Sequence, residues 1–144
     1  MRFGFMMNKI TLKTTLLFLL LSAHLFAQNV YIPDANFKAY LVGTSAINTN
    51  SDTEIQLSEA SAFTGTIDCN GQNIYDLTGI EAFTALISLN CQGNQIGSLD
   101  LSNSTALETI YCGLNQLTSL DLSSNTSLTF LDCFGNQLTS LDVS

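Results

Sequence analysis

The C-terminal half of the chain repeats one phrase at a fixed step, and that step constrains the fold more than anything else in the sequence. Three copies read Leu86-x-x-Leu89-x-Cys91-x-x-Asn94-x-Ile96-x-x-Leu99, Leu107-x-x-Ile110-x-Cys112-x-x-Asn115-x-Leu117-x-x-Leu120 and Leu128-x-x-Leu131-x-Cys133-x-x-Asn136-x-Leu138-x-x-Leu141. Leu99, Leu120 and Leu141 are thus spaced by 21 residues. A degenerate copy, Ile67-x-Cys69-x-x-Gln72-x-Ile74-x-x-Leu77, precedes them with a step of 22. A period in this range, on a Leu/Ile/Cys skeleton with an Asn after the strand, specifies stacked coils that bury a continuous core only against one another. The expected fold is an α/β solenoid: a leucine-rich repeat array of short parallel strands with a small helical N-terminal cap.

Within each copy the alternation around Leu89 and Cys91, Ile110 and Cys112, and Leu131 and Cys133 has period two, the pattern of a strand with one buried face. Asn94, Asn115 and Asn136 stand where the chain leaves the strand, and their side chains are expected to satisfy backbone groups of the turn. Gln72 takes that place in the first copy, as suits a terminal repeat. The return legs, Leu99-Asp100-Leu101-Ser102 and Leu120-Asp121-Leu122-Ser123, are too short for a helix of several turns. They read as extended or single-turn segments.

All four cysteines occupy the same repeat position. One per coil makes a ladder, without a C-x-x-C clamp or a nearby histidine for metal. Parallel neighbours point their Cβ vectors side by side, which is poor disulfide geometry. The expectation is a reduced, buried ladder packed as small hydrophobes.

Residues 1–27 read as a signal peptide: Arg2, Lys9 and Lys13 precede the apolar run of residues 16–21, and Ala27 offers a small residue for cleavage. Three of the four basic residues and the lone histidine, His24, lie in this segment. Without it, twelve acidic residues face one basic residue, Lys38, and the net charge is near −11. Such a charge disfavours nucleic acid and anionic lipid as partners. No membrane insertion is expected after cleavage, and the location expected is the medium or the cell surface of a bacterium. Residues 28–63 form the expected helical cap and 64–144 the repeats, an array read as ending without a C-terminal cap.

In the cap, Pro33 and Asp34 can open a helix that places Phe37, Tyr40 and Leu41 on one face and ends at Gly43. A second short helix starts near Ser58. Between them, residues 48–59 align with a twelve-residue EF-hand loop, with Asn48, Asn50, Asp52, Glu54 and Glu59 as candidate calcium ligands and Ile55 at the apolar position. Thr53 stands where glycine normally permits a left-handed turn. The competing reading is a metal-free turn held by Asn and Asp bonds to the backbone. No cofactor is required by the sequence, and calcium is the one candidate.

The residues flanking the buried strand positions face the concave side. Asp68, Asn90, Gln92, Tyr111, Phe130, Asp132 and Phe134 are the candidate ligand-binding set, with the three aromatics as anchors for a protein or a sugar ring. The alternative is that Phe130 and Phe134 pack on a further coil of a longer array. Catalysis is not expected. No Ser-His-Asp set exists after residue 27, and Asp68 and Asp132 lie on different coils.

The phrase Asn136-Gln137-Leu138-Thr139-Ser140-Leu141-Asp142-Val143-Ser144, with Leu131-Asp132-Cys133 before it, resembles secreted bacterial leucine-rich repeat proteins of the internalin-like kind. The run Ile32-Pro33-Asp34-Ala35-Asn36-Phe37-Lys38-Ala39-Tyr40-Leu41 resembles the region preceding such repeats. The resemblance implies a surface or secreted binder that adheres to an extracellular protein or glycan. A structural spacer, or a fragment of a larger surface protein whose binding or sorting domain lies elsewhere, is the alternative.

Overall fold

Residues 28–143 are described by the computed structural model; the signal-peptide reading of 1–27 lies outside the described residues. Two short helices, α1 (Ala35–Gly43) and α2 (Leu57–Ala62), lead into six three-residue strands. These are β1 (Thr66–Asp68), β2 (Ser88–Asn90), β3 (Thr109–Tyr111), β4 (Ser119–Asp121), β5 (Phe130–Asp132) and β6 (Ser140–Asp142). β1, β2, β3 and β5 form one parallel sheet in that order, and β4 and β6 form a second.

The register follows the repeat. Ile67, Leu89, Ile110 and Leu131 are successive partners across the first sheet, and Leu120 pairs with Leu141 across the second. Ile67, Leu89, Ile110 and the cysteines at 69, 91 and 112 are fully buried, so each coil contributes one inward Leu/Ile and one inward Cys to a continuous column. Leu131 and Cys133 are half-buried. The return legs carry both expected forms, a single 3-10 turn at Ile80–Ala82 and the β4 and β6 strands.

The asparagines lock neighbouring coils. Asn94 Nδ2 donates to the carbonyls of Cys69 and Cys91, both at 2.9 Å, while its Oδ1 accepts from Ile74 N at 3.0 Å. Asn115 makes the same bonds one coil on, to Cys91, Cys112 and Ile96, and Asn136 repeats them with Cys112, Cys133 and Leu117. Each side chain therefore satisfies backbone groups of two coils at once, where the turn would otherwise bury them unpaired. Gln72 makes only a local bond, Nε2 to Asn70 O at 3.1 Å, on the surface. A second set of ties on the return side uses Asn125, whose Nδ2 donates to Leu101 O and Ser104 O, and Ser104, whose Oγ donates to Phe83 O.

The cap closes the first coil. Phe37, Leu41, Ile47, Ile55 and Ala60 are completely buried in the same core as Ile67. Asp34 is the N-cap of α1 rather than part of its first turn, with Oδ1 accepting from Asn36 N and Phe37 N. Its Oδ2 accepts from Tyr75 N and Asp76 N, and Asn36 Nδ2 donates to Asn73 O. The outer edge of β1 is met by Tyr40, whose hydroxyl accepts from Asp68 N at 2.9 Å.

Candidate functional site

The rows that flank the buried strand positions are in register across the first sheet. One runs Thr66, Ser88, Thr109, Phe130, and the other Asp68, Asn90, Tyr111, Asp132. At parallel-strand spacing Asp68 lies about 14 Å from Asp132, three strands away. Nothing brings the two carboxylates together. Thr109 and Ser88 join hydroxyls at 2.6 Å.

Two of the polar candidates serve the backbone: Asn90 Oδ1 accepts from Gln92 N and Asp132 Oδ1 from Phe134 N, side-chain turns at the strand exit. Asp68 Oδ1 accepts instead from the side-chain amide of Asn70. Tyr111 replaces the short polar residue in that row, and its ring lies against Phe130 with centroids 4.9 Å apart and planes tilted by 37°. Phe134 covers Gly113 so closely that a Cβ there would stand 2.7 Å from the ring. Glycine at 113 therefore makes the room the ring occupies.

One residue of this patch escapes a reading based on strand alternation. The position two after each cysteine holds Gly71, Gly93, Leu114 and Gly135, and all four take positive φ, Leu114 at 54°. The left-handed conformation costs a side chain about 1–2 kcal/mol. Leu114 accepts it while remaining 50 % exposed, and its side chain lies over Gly135. The signal was present in the column itself: a leucine in a place where the other coils have glycine. Phe130 and Phe134 are also about half exposed. Tyr111, Leu114, Phe130 and Phe134 together form an apolar surface on the last two coils, flanked by Asp132, with Asn90 and Gln92 one coil away.

The loop of residues 48–59 is tied by its own side chains. Asp52 Oδ1 accepts from Glu54 N and its Oδ2 from Asn50 Nδ2 and Gln56 Nε2. Glu59 Oε1 accepts from Thr49 N, Thr49 Oγ1 and Asn50 N, and Oε2 from Gln56 N, closing a capping box on α2. Burial pushes the Glu59 carboxyl up, but these donors outweigh it and hold it below the usual range. The left-handed residue is Ser51, φ 61°, and Thr53 is not among the residues of positive φ. The Glu54 carboxylate, expected among the cation ligands, turns instead to Lys38, at 2.7 and 2.8 Å. Among the described residues no three His, Cys, Asp or Glu side chains gather as a metal cluster.

Asn48 is 4 % exposed, and its Nδ2 donates to Val42 O and Asp52 O. Its Oδ1 is buried without a donor. An acceptor left this way costs about 1–3 kcal/mol.

The four cysteines are free thiols. Burial pushes Cys69 and Cys112 up to about 12 and raises Cys91 as well. These three thiols are packing groups of the core, kept protonated by their burial.

Parallel strands on a 21-residue coil, an asparagine bridge between coils and a helical cap define a leucine-rich repeat solenoid of the internalin-like kind. A stretch of 78 residues, 54 % of the chain, is 38 % identical to Internalin J of Listeria monocytogenes serotype 4b and spans 8 % of that protein. The solved functional domain of InlJ from Listeria monocytogenes, which includes a cysteine ladder, matches 81 % of this chain at 37 % identity with a TM-score of 0.70. The internalin InlF of Listeria monocytogenes matches 78 % at 25 % identity with a TM-score of 0.62. This chain spans 27 % and 37 % of those two structures, well under half of each. No family model matches the chain.

Proposed function

We propose that the protein is an exported, non-enzymatic adhesion module that binds an extracellular protein through its concave face. The observation that carries the reading is the apolar patch of half-exposed Leu114, Phe130 and Phe134 beside the partly buried Tyr111, with Tyr111 and Phe130 in rows that elsewhere carry Thr, Ser, Asn and Asp and Leu114 in the place of glycine. Contiguous exposed apolar surface marks interaction sites, and clustered aromatics dominate their energetics. Asp132 beside the patch, and Asp68 and the acidic balance of the chain beyond it, favour a partner with an apolar anchor ringed by Lys or Arg. The likeness to internalins supports a binding role. Among the described residues no helix is long and apolar enough to cross a membrane.

The test is attachment of fluorescently labelled protein to animal and bacterial cell panels, comparing the native chain with F130S, F134S and Y111S. Loss of attachment in the variants with an unchanged thermal midpoint supports the concave site. Stripping the cells with protease should abolish attachment, whereas loss on periodate oxidation instead would make the target a glycan. Attachment that survives all three substitutions would sink the assignment of the site.

A further inference from the structure

We infer that the docking face takes an arginine side chain of its partner, with the guanidinium laid against the rings of Tyr111 and Phe130 and forked onto the carboxylate of Asp132. The inference rests on the concave-face reading and names the group that reading leaves open. The three residues share one face of the first sheet. Phe130 and Asp132 stand two apart on β5, so both point outward, and Tyr111 on β3 is the register partner of Asp132. At parallel-strand spacing the backbones of Tyr111 and Asp132 lie about 4.8 Å apart. The two rings meet at 4.9 Å between centroids with a 37° tilt, and Phe130 remains 45 % exposed.

Asp132 is the observation that selects a cation. Its Oδ1 accepts from Phe134 N at a long 3.3 Å, and its Oδ2 accepts no bond among the described residues. Lys38 is the one Lys or Arg among those residues, and its ammonium is bonded to Glu54 in the cap. No cation of the chain therefore serves the patch. With twelve carboxylates against that single ammonium, the face draws positive charge from outside. Asp68, about 14 Å off along the row, is too far to share the same group, so the charge acts at one corner of the apolar surface.

The rings decide between the two cationic side chains. A guanidinium is planar and weakly hydrated, stacks on aromatic faces and gives parallel N–H bonds to one carboxylate. An ammonium is a strongly hydrated point charge, which a half-exposed aromatic surface strips of water at a cost. Arginine is also among the residue types that dominate binding hot spots. Phe134, which covers Gly113, and Leu114, which lies over Gly135, complete the patch beside this corner. They receive the apolar neighbour of the arginine, so a short partner segment holding both side chains spans the whole surface.

The experiment titrates the native protein at low ionic strength with the acetylated, amidated peptide Gly-Arg-Gly-Leu and its lysine and citrulline twins, read from backbone amide NMR shifts. The arginine peptide should shift Tyr111, Phe130 and Asp132 saturably and bind about threefold to tenfold tighter than either twin. D132N and F130L should each weaken it about threefold to fivefold, while D100N, on a return leg, leaves it unchanged. Absence of a saturable shift at those residues, equal binding of the lysine peptide, or native binding by D132N each overturns the proposal. If F130S still abolishes attachment to cells in that event, the concave face stands and only the arginine anchor falls. Attachment that survives F130S, F134S and Y111S removes the face itself, and the anchor with it.

Discussion

The carboxylate of Asp34 caps its own helix and also accepts from the backbone N–H of Tyr75, 2.8 Å away and 41 residues along the chain. One short side chain thus starts the cap and ties it to the exit of the first coil. An N-cap is worth about 0.5–2 kcal/mol, and the exposed bonds to Tyr75 N and Asp76 N add a smaller amount. Asp34→Ala is expected to lower stability by about 2 kcal/mol in a urea melt, with Asp34→Asn intermediate. A loss below about 0.5 kcal/mol would show that the bonds to Tyr75 and Asp76 contribute nothing in solution.

The same carboxylate gives the pH dependence. Burial pushes Asp34 up, but the N–H groups of Phe37, Tyr75, Asn36 and Asp76 prevail and hold it below the usual range, as the donors around Glu59 do there. A depressed folded pKa means the unfolded chain binds the proton more readily. The stabilisation is complete above the unfolded carboxylate range, near 4, and is lost as pH falls through the folded values. Thermal midpoints should therefore be flat on this account from neutral pH to about 5 and fall below about 4. In Asp34→Ala the acid limb should be shallower; an unchanged limb would remove Asp34 from the explanation.

Asn115 and Gln72 hold equivalent places in their coils and should differ sharply. Asn115→Ala leaves the buried Ile96 N without its acceptor and removes one of the two donors to Cys91 O and to Cys112 O, which keep Asn94 and Asn136, an expected loss of about 2–3 kcal/mol. Gln72→Ala removes one exposed local bond and should cost under about 0.5 kcal/mol. Equal losses would show that the asparagine column is not what binds coil to coil.

These contrasts mark where the sequence was legible. The 21-residue step determined strand positions, register and the inward Cys column, because a one-residue slip would put every apolar side chain on the wrong face. The asparagines were readable as turn residues, but their reach into the preceding coil was not, since it depends on stacking distance rather than on local order. In the binding surface, Tyr111, Phe130 and Phe134 stood out by chemistry in polar rows. Leu114 did not, because it lies beyond the alternating strand, where only comparison of turn positions shows it in glycine's place. Glu54 was misplaced because spacing along the chain says nothing of Lys38, sixteen residues earlier, which takes its carboxylate.

The cysteines should respond to thiol reagent by position. Cys69, Cys91 and Cys112 are buried and Cys133 only half-buried. Burial holds the thiols of Cys69 and Cys112 near 12, so almost no thiolate forms at neutral pH. One thiol, Cys133, is expected to react with an aromatic disulfide reagent in the native protein, and all four in denaturant, with peptide mapping to place the label. Rapid native labelling of Cys91 would mean that the central coils open far more readily than their packing allows.

Leu114 offers the sharpest separation of stability from binding. Its left-handed φ costs about 1–2 kcal/mol, and Leu114→Gly removes that strain while loosening the unfolded chain by about 0.5–1 kcal/mol. With half its side chain already in water, little packing is lost. The variant should match the native protein in stability or exceed it by up to about 1 kcal/mol. Attachment to the partner should nevertheless weaken, because the patch loses the residue that lies over Gly135 beside Phe134. Strain kept at an exposed residue is expected where the residue serves contact rather than folding. A variant that is stabilised and still binds fully would show that Leu114 is tolerated rather than used, and would confine the docking surface to the three aromatics.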